Sequence, residues 1–171
     1  DLLRASPMSA GLSDEDLGAP AAAARQERVG ARQHVFMEGD PARWFCVVVS
    51  GRVKIFRESR DGKEVVLELL GPGEPFGGVA VIERRPYPAS AQATEPSVIL
   101  KIPQEAVVSI VERNPSIVRE MALMIGRRLR AAHDTVKSLA VDPVEARLAA
   151  AGLRLAEREG VREGTRLVLR F

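Results

Sequence analysis

Side chains able to do chemistry are few in these 171 residues. Cys46 is the single cysteine, which excludes an internal disulfide, a CxxC redox pair and an iron–sulfur cluster held by thiolates of this chain. It lies inside the apolar run Trp44 to Val49 with no base beside it, so it reads as a small buried hydrophobe rather than a redox sensor. His34 and His133 are the only histidines and leave little material for a zinc site. Arg84 and Arg85 follow the glycine-rich stretch Gly71 to Gly78, where forked guanidinium groups suit a phosphate. The plainer reading of that pair is a solvated turn between a short helix and the next strand. Arginine outnumbers lysine 21 to 4, which fits either phosphate recognition or biased codon usage.

These residues need a scaffold, and composition bounds it. With 46% hydrophobic and 28% charged residues the chain reads as a soluble globular protein of one domain, or of one domain and part of another. No apolar run approaches the length of a membrane span, and the acidic start lacks a signal-peptide pattern, so a cytoplasmic protein with no membrane partner is expected. Charge is uneven. Residues 1–112 hold 13 Lys+Arg against 16 Asp+Glu, a net −3, while residues 113–171 hold 12 against 7, a net +5.

From Arg32 to about Pro103 the pattern is β. Arg52 to Arg57 alternates polar and apolar, Asp61-Gly62 is a hairpin signal, and Val65, Leu67 and Leu69 alternate with Val66, Glu68 and Leu70. Gly71-Pro72-Gly73 ends that strand, and the segments 89–93 and 98–102 supply two more. Many short strands punctuated by Gly and Pro predict an antiparallel jelly roll. Jelly rolls also host metal enzymes, but those need two or three histidines on facing strands, and His34 alone lies in the β region; no enzyme is expected.

Beyond Pro103 the period turns helical. Gln104 to Arg113 reads as one helix, Asn114-Pro115-Ser116 as a break with helix-start chemistry, and Ile117 to about Ala140 as a long helix. Its apolar residues Val118, Met121, Ile125, Leu129, Ala132, Val136 and Leu139 recur at three and four, close to a heptad seam. Spacing alone leaves two partners open, the chain's own sheet or a second subunit in a parallel coiled coil. Asp142-Pro143 starts another helix, Val144 to Glu159, and Thr165 to Phe171 alternates as a strand. The chain is thus expected to stop one helix and one strand into a second domain.

Taken together, the motifs resemble the CRP/FNR family of bacterial transcription regulators. The resemblance rests on Phe36-Met37-Glu38-Gly39-Asp40-Pro41, Val48 to Lys54 around Gly51, Asp61-Gly62-Lys63-Glu64, Gly71 to Gly77, Asn114-Pro115, Arg127-Arg128-Leu129 and Val144-Glu145-Ala146-Arg147-Leu148. It implies an α+β chain: a cyclic-nucleotide-binding-like jelly-roll sensor over 1–113, a dimerisation helix over 114–141, and over 142–171 the start of a winged helix-turn-helix domain. The function implied is an effector-responsive, DNA-binding homodimer, DNA being contacted through a C-terminal recognition helix that this chain lacks. A stand-alone module regulating a partner protein is the alternative.

In nucleotide-binding members a short helix after Phe-Gly meets the cyclic phosphate, a Glu directly after the Gly holds the ribose hydroxyl, and an Arg followed by Ser or Thr pairs with the phosphate. Here those positions read Gly78 and Pro88-Ala89, so a cyclic nucleotide is disfavoured. The adenine-contacting hydroxyl pair of the long helix falls at Ala132 and His133, neither of which supplies it. The resemblance therefore implies a more apolar effector pocket, formed by Phe76, Gly77, Gly78, Val79, Val81, Ile82, Tyr87 and Ser90 with Ala132 and His133, for a small-molecule or gas effector. Nitric-oxide-responsive members carry haem in such a cavity, and haem here would take His133 or His34 as axial ligand; no other metal is expected.

Overall fold

The computed structural model describes residues 21–59, 61–141, 143–159, 161–163 and 166–168. The chain divides into two compact units, residues 1–121 and 122–171. Among the described residues the first holds eight strands: β1 (Arg25–Val29), β2 (His34–Phe36), β3 (Trp44–Ser50), β4 (Val53–Glu58), β5 (Glu64–Leu70), β6 (Pro75–Phe76), β7 (Ser90–Ala93) and β8 (Ser97–Pro103). Helix α1 (Gly78–Glu83) interrupts them after β6, α2 (Gln104–Arg113) follows β8, and α3 (Pro115–Val141) begins in this unit. Two four-stranded antiparallel sheets result, ordered β1-β8-β3-β6 and β2-β7-β4-β5, as a jelly roll requires.

Strand β3 explains the architecture. Its apolar residues do not alternate with polar ones because both faces are covered. Cys46 and Val48 join Val53, Leu70, Phe76, Ala91, Ala93 and Ile99 in one core cluster, with side chains drawn from both sheets. Phe45 and Val47 join Ala80, Val81, Tyr87, Leu100, Ile102 and Val107 in a second, which α1 and α2 cover. The β3–β4 turn needs Gly51, whose φ is +82° and whose added Cβ would stand 2.2 Å from Ser97 Oγ. Strand β1 lies ahead of the region expected to be β and pairs with β8 in continuous register from Arg25↔Lys101 to Val29↔Ser97.

The β4–β5 hairpin forms at Asp61-Gly62 as predicted, with Gly62 at φ +71°. A register shift opposite Ile55 and Phe56 leaves Leu67 out of the pairing, and Val65, Val66 and Leu67 are each more than half exposed. Only Leu70 of that strand enters the core, so the expected alternation of β5 does not become a buried face.

Helix α2 spans Gln104–Arg113 as predicted, and α3 runs through Ile117 and Met121, both 6% exposed and packed with Ile110. Burying residues of that size stabilises by about 1.5–3 kcal/mol each, which keeps the first two turns of α3 with the sensor. The compact division consequently falls between Met121 and Ala122 rather than at residue 113. Met121, expected on a dimer seam, is corrected to the sensor's own core. The second unit contains the rest of α3, α4 (Val144–Glu159) and a hairpin of β9 (Val161–Glu163) with β10 (Arg166–Val168). β9 was not legible as a strand, and the ends of the expected strand 165–171 lie outside the described residues.

Candidate sensor site at the start of helix α1

The site is built where β6 turns into α1. Gly77 caps the helix at φ +76°, and a Cβ there would stand 3.1 Å from the Tyr87 ring and 3.3 Å from the Trp44 carbonyl oxygen. Glycine is required on both counts. The Tyr87 ring stacks on Phe36 at 3.6 Å between centroids, and Phe36 stands 5.8 Å from Phe76. The Tyr87 hydroxyl donates to the Trp44 carbonyl at 2.6 Å and accepts from the Trp44 N–H at 3.1 Å. Its backbone N–H donates to the Asp40 carbonyl, and its carbonyl accepts from the Gly39 N–H, each at 2.9 Å. One buried residue therefore ties together the start of α1, the start of β3 and the β2–β3 turn. Burial raises the pKa of the Tyr87 phenol above its ordinary value, so it serves as a neutral donor at neutral pH.

Ser90 is also committed, its hydroxyl accepting from the Glu38 N–H at 2.9 Å. Gly78 sits beneath the Phe45 ring, and Tyr87, Pro88 and Ala89 lead into β7 without a cation. Arg84 and Arg85 are exposed; Arg84 closes α1 in the left-handed region, its N–H donating to the Ala80 and Val81 carbonyls. They form a solvated turn, the plainer of the two expectations for that pair.

The structure thus assembles Phe76, Gly77 and Tyr87 with Phe36 and Trp44, two residues that the implied pocket did not include. It separates the rest by helical period. Val81 is buried in the cluster under α2, Ile82 packs against Ile110, Ile117 and Met121, and Val79 is 47% exposed, so these three correct the expected apolar lining. Ala132 and His133 are exposed residues of α3 in the second unit. His34 is exposed on β2, with Nε2 3.4 Å from Gln92 Nε2. Neither exposed histidine is aimed into this apolar cluster, so neither stands where the axial-ligand role implied for it would need it.

Elsewhere in the sandwich two buried polar side chains stand out. Cys46 is fully buried, and desolvation pushes its thiol up to about 12, leaving it unreactive. Lys101, opposite Cys46 on β8, is 6% exposed with Nζ 2.8 Å from Glu27 Oε2. Its position between Leu100 and Ile102 gave no sign of burial; the only signal was Glu27 on a strand that was not anticipated.

Residues 26–114 match the cyclic nucleotide-binding domain family. The chain is similar to the cyclic AMP receptor protein of Thermus thermophilus, with 30% identity over 93% of this chain and 73% of that protein. It is also similar to the CRP-like cAMP-activated global transcriptional regulator of Mycobacterium tuberculosis, 32% identical over 76% of this chain; there the chain spans 58% of the relative's length. Among solved structures, the sensor domain of the transcriptional regulator DNR from Pseudomonas aeruginosa superposes with a TM-score of 0.68 at 25% identity, covering 84% of this chain and 93% of that one.

Proposed function

The chain belongs to the cyclic nucleotide-binding domain family, and from that premise we propose that it is the sensor and dimerisation part of an effector-responsive transcription regulator of the CRP/FNR type. The observation that carries the proposal is that the similarity to the global transcriptional regulator of Mycobacterium tuberculosis, over 76% of this chain, continues past the sandwich into α3, where Val118, Ile125, Leu129 and Val136 are 42 to 64% exposed. An apolar row left in water on a long helix is the surface a second subunit would cover. The Leu139 side chain, at the end of that row, lies outside the described residues.

Coupling would work by population shift. An effector that prefers one arrangement of α1 and β7 moves Ile82, which packs against the root of α3, and so biases the helix pair that positions the DNA-binding domains. DNA would be contacted through a further C-terminal domain, and no catalysis is proposed. No described helix is long and apolar enough to cross a membrane.

The effector is proposed not to be a cyclic nucleotide. Two contacts to its charged and hydroxyl groups are absent at Gly78 and at Pro88-Ala89, and losing one charge-assisted phosphate contact costs about 2–5 kcal/mol. A small apolar molecule or a gas is the class that fits a site built from Phe36, Phe76, Tyr87 and backbone donors. Calorimetric titration of the chain with cyclic AMP and cyclic GMP tests this, the expected result being no saturable binding at micromolar ligand. Micromolar affinity for either nucleotide would overturn it.

A further inference from the structure

We infer that Gln104 is a positioning residue of the sensor, fastening the end of α1 to the start of α2. Through it α1 cannot shift without either breaking that bond or carrying α2, and with it the root of α3, along; the role rests on the reading of this site as an effector sensor.

Helix α1 is six residues long, has no side-chain cap at Gly77 and is too short to hold itself together in water. Its place must come from its neighbours. Apolar packing supplies part of the hold: Val81 lies with Val107 of α2, and Ile82 with Ile110 of α2 and with Ile117 and Met121 of α3. Such contacts have no direction, and alone they would let α1 slide along α2. A directed contact is added at one point. Gln104 Nε2 donates to the Val81 carbonyl at 2.7 Å, whereas the N–H of Arg84, from the end of α1 itself, reaches the same oxygen only at 3.3 Å. A carbonyl can only accept, which settles which end of the Gln104 amide faces it.

The backbone of Gln104 is committed as well. As the first residue of α2 its N–H has no acceptor within the helix. It donates instead to the Arg43 carbonyl at 2.9 Å. Arg43 immediately precedes Trp44, whose carbonyl and N–H hold the Tyr87 hydroxyl. One residue therefore ties both sides of the candidate site, α1 and the start of β3, to the helix that leads into α3. A ligand that displaces α1 then acts on α2 through a bond of fixed geometry as well as through the Ile82 contact.

Native-state hydrogen exchange of the full chain, without ligand, tests this role in three chains, each with and without Val79→Gly. They are the wild type, Gln104→Met, which keeps the length and removes the donor, and Gln104→Lys, which restores a donor. Val79 is 47% exposed, so Val79→Gly loosens α1 through backbone entropy from its solvent side. Gln104→Met is expected to speed exchange of the Arg84 and Arg85 amides by about tenfold, and Gln104→Lys by less than about threefold, with β3 and β8 unchanged. Val79→Gly is expected to speed exchange over residues 117–121 by at least about threefold in the wild type and to leave it unchanged beside Gln104→Met. Wild-type rates at Arg84 and Arg85 in Gln104→Met, no rescue by Gln104→Lys, or an equal gain across β3 and β8 would overturn the role. So would the same response of residues 117–121 with and without Gln104. Micromolar cyclic-nucleotide binding by the wild type contradicts the effector reading instead and is scored by calorimetry, whereas Gln104 stands or falls on the exchange rates.

Discussion

Lys101 and Glu27 show how one contact can carry a strand. The ammonium is buried while the carboxylate that pairs with it stays 40% exposed, so the two partners are not equivalent to remove. Glu27→Ala leaves a charge in the sandwich without its partner and is expected to cost about 1–3 kcal/mol in urea unfolding. Lys101→Met keeps the volume, removes the charge and is expected to cost less than about 1 kcal/mol. A larger loss from Lys101→Met than from Glu27→Ala would contradict the assignment. Cys46 gives a pH prediction of definite sign. Its thiol ionises near 9.0 when free and near 12 when folded, so the unfolded chain loses its proton first as pH rises. Stability from this group is intact below pH 9 and falls toward pH 12 by up to about 1.4 kcal/mol per pH unit. The raised Tyr87 phenol adds a loss of the same sign. Urea midpoints between pH 8 and 10.5 should fall less steeply in Cys46→Ala than in the wild type. That burial was legible from the apolar neighbours of Cys46; the burial of Lys101 was not, because flanking Leu100 and Ile102 makes a lysine look like the wet face of a strand.

At the scale of elements, the turns carry more than the strands they join. Gly51 is held at φ +82° with Ser97 Oγ, the Pro96 carbonyl oxygen and Ser97 Cα all within 2.8 Å of where a Cβ would go. Gly51→Ala combines backbone strain with a clash and should destabilise by about 3 kcal/mol or more, against about 1–2 kcal/mol for Gly39→Ala, whose φ of +88° is as strained but whose Cβ meets nothing within 4 Å. Equal midpoints for the two variants would refute the role given to the contact. Helices α2 and α4 span the residues expected of them from the sequence pattern; Asp142 and Gly160, read as the signals that start and stop α4, lie outside the described residues. The apolar lining of the sensor site was harder to foresee. A six-residue helix turns successive side chains toward different neighbours, so Val79, Val81 and Ile82, which the resemblance implied together, are sent three ways by helical period.

For the whole molecule, the decisive feature is the fate of one seam. The spacing of Val118, Met121, Ile125, Leu129, Ala132 and Val136 along α3 left open whether the partner is the chain's own sheet or a second copy, and the structure divides the row between the two units. Ile117 and Met121 are buried in the sensor, while Ile125, Leu129 and Val136 stay in water. That division makes the homodimer testable apart from folding of the sensor, because a charge placed beyond residue 121 leaves the sensor core untouched. Sedimentation equilibrium at tens of micromolar is the direct test. The account predicts a mass of twice 18.6 kDa for the chain and a single 18.6 kDa for Leu129→Asp, with the sandwich melting at an unchanged temperature. A wild-type chain that sediments as an 18.6 kDa monomer would contradict it.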